Sequence, residues 1–195
     1  LLKLNKKRRG KRRLPTRVKQ PLAQQSAMNQ SWSMDFMSDS MVGNRKFRTL
    51  NIMDDCSREV LAIEVDTSLS SKRVIRTLER IIEQRGKPVA IRTDNGPEFT
   101  SKDLELWSVD NGITLQFIQP GKPMQNGFIE RFNRLYREAI LDAYLFFDLN
   151  EVRVLTEEWI EEYNNNGPHE SLNNQTPTEW KINLIKNDYT LNKTV

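Results

Sequence analysis

Val89-Ala90-Ile91-Arg92-Thr93-Asp94-Asn95-Gly96-Pro97-Glu98-Phe99 decides the fold. Three apolar residues run into an acid and then an Asn-Gly turn signal, which reads as a short buried strand delivering Asp94 at its end. Upstream, Val74, Ile75, Leu78, Ile81 and Ile82 recur at helical spacing, and Gly86 and Pro88 stop a helix over about 71–85. Downstream, Thr100 can cap a second helix with Leu104, Leu106 and Trp107 inside, ended by Asn111-Gly112. Further out, Trp32, Met34 and Phe36 alternate with polar residues as a strand. Residues 47–53 and 59–66 read as two more, joined by the turn Asp54-Asp55-Cys56-Ser57, so the three form an antiparallel meander. Residues 113–118 are a fifth strand, Pro120-Gly121-Lys122-Pro123 a loop, and about 125–144 a long helix. A last helix, about 150–163, buries Val152, Leu155, Trp159 and Tyr163, and the remainder is turn-rich. The order βββαβαβα predicts an α/β chain whose five-stranded mixed sheet is flanked by helices.

The 195 residues suit one medium domain with appendages: a basic, weakly ordered arm over 1–30, a core over 31–150, and a helix and tail over 151–195 packing on it. The net charge of +4 hides an asymmetry. Residues 1–20 hold ten Lys or Arg and no acid, so the rest holds 20 bases against 26 acids, a net of −6. The run Lys6, Lys7, Arg8, Arg9, Lys11, Arg12, Arg13 repels itself, and its ready partner is a polyanion, DNA above all; a solubilising tail or linker is the plainer alternative. One cysteine, Cys56, excludes a disulfide framework from this chain alone and fits a reducing cytosol. No apolar run reaches membrane-span length, and there is no signal-peptide stretch or initiator Met at Leu1, which points to a longer parent protein or a broken gene.

Three acids stand out. Asp35 sits in mid-strand, where a carboxylate needs a compensating partner. Asp94 ends a buried strand, where open sheets place ligands. Glu130 lies in the long helix, with 35 residues (95–129) between it and Asp94. That helix has an apolar stripe of Ile129, Phe132, Tyr136, Ala139, Ile140 and Ala143, and a polar stripe of Asn126, Glu130, Asn133, Arg134 and Arg137. Carboxylates beside amide and guanidinium donors suit a metal and phosphate oxygens together. In-line displacement at phosphorus is served by two divalent cations about 4 Å apart, held by hard oxygen ligands. On spacing alone, with 26 acids in the chain, an incidental pairing of a turn Asp with a solvated helix Glu stays open. Asp39, Asp54, Asp55 and Asp66 compete for the strand position; Asp54 and Asp55 read as hairpin-turn residues and Asp66 as a strand end.

The stretches Trp32-Ser33-Met34-Asp35-Phe36, Asp94-Asn95-Gly96-Pro97-Glu98-Phe99, Pro120-Gly121-Lys122-Pro123-Met124-Gln125-Asn126-Gly127, Ile129-Glu130-Arg131-Phe132-Asn133-Arg134 and Tyr163-Asn164-Asn165-Asn166-Gly167-Pro168-His169-Glu170-Ser171-Leu172, with Thr176-Pro177, resemble the catalytic region of bacterial insertion-sequence transposases of the DDE class, akin to retroviral integrases. The resemblance covers about 11–180. It implies an RNase H-like fold, Asp35, Asp94 and Glu130 as the metal-binding catalytic triad, magnesium or manganese, and cleavage and joining of DNA strands by a homo-oligomer in the bacterial cytoplasm, associated with the nucleoid. Gly167 departs from the Arg usual there, which would loosen a tail contact. The helix-turn-helix front of such proteins is missing here, so an inactive DNA-binding remnant, or a nuclease of the same fold, is the competing reading.

Lys122, Gln125 and Asn126, at the entry to the long helix, are expected to grip DNA, together with Asn133, Arg134, Arg137 and the basic run. Trp107, Trp159 and Trp180 are expected to pack in the core, and Trp32 to shield Asp35 from the sheet side. His169 reads as a surface or tail-packing residue, and Asn95-Gly96 as a turn that could also let backbone approach a phosphate.

Overall fold

The computed structural model describes residues 25–119 and 126–191, with side chains to 186. Five strands form one sheet in the order β3-β2-β1-β4-β5. They are β1 (Ser31–Ser40), β2 (Lys46–Asp54), β3 (Val60–Asp66), β4 (Ala90–Thr93) and β5 (Thr114–Phe117). The first three make the expected antiparallel meander, with Asp35 opposite Asn51. β4 and β5 then add on parallel, Ser33 beside Arg92 and Ile91 beside Leu115. Parallel pairing needs crossovers, and helices α1 (Ser71–Arg85) and α2 (Lys102–Asp110) provide them.

Period-two alternation divides the sheet into two buried faces. Trp32, Met34, Leu50 and Ile52 point to one, against Val74, Leu78 and Ile81 of α1 and Leu104 and Trp107 of α2. Met37, Phe47, Met53 and Val65 point to the other, against α3 (Gly127–Tyr136) and α4 (Leu149–Asn166). A helix on each face is why both sides of β1 and β2 are apolar.

Several expectations need correcting. Ser101, not Thr100, caps α2, its Oγ accepting from the Leu104 amide at 3.3 Å, while the Thr100 hydroxyl donates back to the Gly96 carbonyl. Leu106 is 53% exposed, because α2 is covered on one side only. The helix expected over 125–144 is α-helical only to Tyr136 and continues as a π-helical turn, Arg137–Leu141. The wider turn rotates the buried stripe, so Ile140 and Leu141 are buried whereas Ala139 and Ala143 face solvent. The tail read as turn-rich holds α5 (Pro177–Leu191), which starts as Thr176 and Glu179 exchange hydrogen bonds in a capping box. Its polar, weakly periodic sequence hides it, and Lys181 anchors it to the nearly buried Glu59 at 2.9 Å.

Trp107 is buried as expected, Trp159 packs among the rings of Phe132, Tyr136 and Tyr163, and Trp180 is half-buried. Trp32, fully buried, stands on the opposite face of β1 from Asp35 and so does not screen it; its indole donates to Asn29 Oδ1 at 3.0 Å. Among the described residues no helix is long and apolar enough to cross a membrane.

Candidate metal and nucleic-acid site

Topology brings the three acids to one place. β1 and β4 lie side by side and parallel, and the register carried two residues beyond Ser33–Arg92 sets Asp94 beside Asp35. α3 crosses that face, and Asn133 Nδ2 donates to Asp35 Oδ2 at 2.8 Å. Glu130 stands one helical turn before Asn133 on the same side. The strand-end position of Asp94 and the helical position of Glu130 are therefore joined through Asp35, on the middle strand.

The compensating partner expected for Asp35 is a short relay. Asn51 Nδ2 donates to Asn133 Oδ1 at 2.7 Å, and Asn133 passes a donor to Asp35. The Phe36 amide donates to the other Asp35 oxygen at 2.8 Å. Both amides are buried, so the relay holds one carboxylate orientation. Asn51 was not singled out in the sequence; its place opposite Asp35 on the neighbouring strand is the signal that could have found it.

Burial, reinforced by the charges of Asp94 and Glu130 and opposed by the Phe36 and Asn133 hydrogen bonds, pushes the Asp35 carboxyl up to about 6. Asp94 and Glu130 are exposed. Asp94 is held in a tight turn, its Oδ1 accepting from the Gly96 amide at 2.9 Å, while Asn95 Nδ2 donates to the Ile118 carbonyl, so Asn95-Gly96 does act as a turn. A second clamp steadies this loop: Glu98 pairs with Arg48 of β2, whose guanidinium lies over the Phe36 ring, and Phe36 stacks on Phe99 at 4.7 Å.

Three hard oxygen donors with uncompensated mutual repulsion are the donor set and charge a divalent cation would relieve. Closure is less complete: among the described residues no three His, Cys, Asp or Glu side chains converge tightly enough to hold an ion. Rotation of the exposed Asp94 and Glu130 side chains is what closure would require.

The competing acids are otherwise employed. Asp54 is buried and accepts from the amides of Asn29, Cys56 and Ser57. Asp55 is buried against Ser33 Oγ and lies 3.2 Å from Arg92. Asp66 pairs with Arg73 and Asp39 with Arg137. Of the expected DNA contacts, Asn126 is buried at the α3 N-cap with its Oδ1 unpartnered, and Arg134 is exposed. Asn133 is committed to Asp35, and Arg137 to Asp39 and the Ser38 carbonyl. Lys122, Gln125 and the basic run Lys6, Lys7, Arg8, Arg9, Lys11, Arg12, Arg13 lie outside the described residues.

Residues 25–123 match the Integrase core domain family, and residues 111–177 match a second family of the same description. The chain belongs to the integrase core domain family. An insertion element IS407 protein of 31.7 kDa from Burkholderia multivorans is 40% identical over 89% of the chain and 63% of its own length. An insertion element IS476 protein of 39.2 kDa from Xanthomonas euvesicatoria is 38% identical over 93% of the chain and 52% of its own length. The chain thus spans less than two thirds of either relative. The magnesium-bound, trimeric form of the HTLV-2 integrase catalytic core domain superposes with a TM-score of 0.62 at 20% identity, over 77% of this chain and 95% of that one. The integrase core here therefore has the RNase H-like fold expected from the sequence.

Proposed function

We propose that this integrase core performs DNA transposition, cleaving a phosphodiester at an insertion element's end and joining the freed 3′ hydroxyl to target DNA. The observation that supports the reading is that the half-buried Asp35, on the strand running parallel to β4 and tied to α3 through Asn133, feels the charges of both Asp94 and Glu130. These three residues would hold Mg²⁺ or Mn²⁺, which when bound supplies activation of the attacking oxygen and stabilisation of the leaving one. The chain's own part is positioning. Asn133 and the Phe36 amide fix the Asp35 oxygens, the Asp94 turn is clamped through Glu98 and Arg48, and α3 presents Glu130 and Arg134 on its open side. Arg134, Lys122, Gln125 and the basic arm would take DNA phosphates. The IS407 and IS476 relatives come from insertion elements, and the HTLV-2 core is described in dimeric and trimeric forms, which supports a bacterial protein acting on DNA as a homo-oligomer.

Strand transfer of a labelled element end, measured with and without Mg²⁺, tests this. Metal-dependent joining that disappears in Asp94→Asn and Glu130→Gln is expected. DNA binding that survives both changes, with no turnover in the unaltered chain, would instead establish a binding remnant.

A further inference from the structure

A second candidate site, a largely apolar cavity with charged side chains in its wall, lies against the same helix, one step round from Glu130. A cavity of about 70 Å³ is lined by Arg58 from the turn after β2, by Phe128 and Arg131 of α3, and by His169, Glu170 and Ser171 from the segment before α5. Arg58 decides its chemistry. The residue is only 4% exposed, yet Nε and Nη1 have no hydrogen-bond partner, and its guanidinium lies 3.5 Å over the Phe128 ring. Buried guanidinium donors left without acceptors are costly, and an arginine so placed calls for an oxygen-rich anion or for water. Asp54 is spent on three backbone amides, and Asp55, whose Oδ1 accepts from Ser33 and whose Oδ2 lies 3.2 Å from Arg92, acts on Arg58 as the nearest opposing charge but makes no hydrogen bond or ion pair with it. Burial first, and then the charges of Arg131 and Arg58, hold the His169 imidazole below its usual range. Glu170, the acid in the cavity wall, is exposed.

We propose that this cavity binds one phosphate group, held by Arg58 and Arg131 with the His169 and Ser171 side chains beside it. The planar guanidinium fork matches tetrahedral phosphate oxygens, and Arg58 and Arg131 together face the exposed Glu170 and the charge of Asp55 without pairing with either. The site joins two stretches that the triad leaves unused, the Asp55-Cys56-Ser57-Arg58 turn and the Pro168-His169 tail.

The test uses the full chain and inorganic phosphate, titrated against chloride at equal ionic strength, with the ¹⁵N side-chain resonance of Arg58 as readout. A saturable shift with phosphate alone is expected, its affinity weakened about tenfold or more in Arg131→Ala, as loss of a charge-assisted hydrogen bond implies. Arg131 is exposed, so this variant keeps its melting transition. A shift no larger than that given by chloride, or equal affinity in Arg131→Ala, overturns the proposal. A short DNA duplex distinguishes the sources: competition with phosphate assigns the group to the DNA backbone, and binding without competition assigns it to the free ion. Neither arm requires strand transfer, so the result stands apart from the catalytic reading.

Discussion

At the scale of single residues, Asp35 carries the tension in this molecule. It is largely buried beside two other acids, and its carboxyl is pushed up to about 6, by burial first. A native pKa above the unfolded value of about 3.9 means that the unfolded chain ionises first as pH rises, so stability falls between about 4 and 6 and stays reduced above that. Two pKa units correspond to at most about 3 kcal/mol. Asp35→Asn should therefore stabilise the metal-free protein by about 1–3 kcal/mol at pH 7 and by little at pH 4, while abolishing strand transfer. Urea melts at both pH values, in chelator, check this; equal gains at the two pH values would show that the charge is not the cause. The amide relay gives a second expectation. Asn133→Ala frees the Asp35 carboxylate, and loss of an orienting partner costs about 10–100-fold in metal affinity or activity. Mn²⁺ titration of the variant by calorimetry reads the effect apart from turnover.

At the scale of elements, Asp35 and Asp94 were legible because a strand pattern and a strand end are local signals, and Glu130 because its helix shows a polar stripe. Asn51 was not, since its role exists only once β1 and β2 are in register. The π-helical turn was not, since its sequence is ordinary helix and tertiary packing decides the extra residue. α5 was missed because its stability comes from docking, through Lys181 on Glu59, rather than from an amphipathic stripe. Gly167 can now be read physically. Its φ of −84° is open to any residue, but a Cβ there would sit 2.8 Å from the Tyr163 carbonyl oxygen at the end of α4. The chain passes closer to α4 than a side chain allows. Gly167→Ala, and the larger Gly167→Arg, should cost about 1–3 kcal/mol by steric displacement. Thermal melts measure it, and an unchanged transition would mean that the segment around His169 moves freely.

At the scale of the whole molecule, charge is divided between arm and body. Residues 1–20 hold ten Lys or Arg, whereas residues 21–195 carry a net of −6 by sequence, with three acids gathered at the candidate site. A body of that sign repels DNA at long range, so the arm must supply much of the non-specific attraction. Each phosphate neutralised contributes about 0.9 to the slope of log affinity against log salt. Removing residues 1–20 should lower that slope by several units and weaken binding at 50 mM salt far more than at 200 mM, since only the counterion-release part is lost. Fluorescence anisotropy with a labelled duplex across a salt series gives the slope directly. A truncated chain that kept the full slope would place the phosphate contacts on the body, against its net charge, and would leave Arg134 and the cavity at Arg58 and Arg131 as the surfaces to account for them.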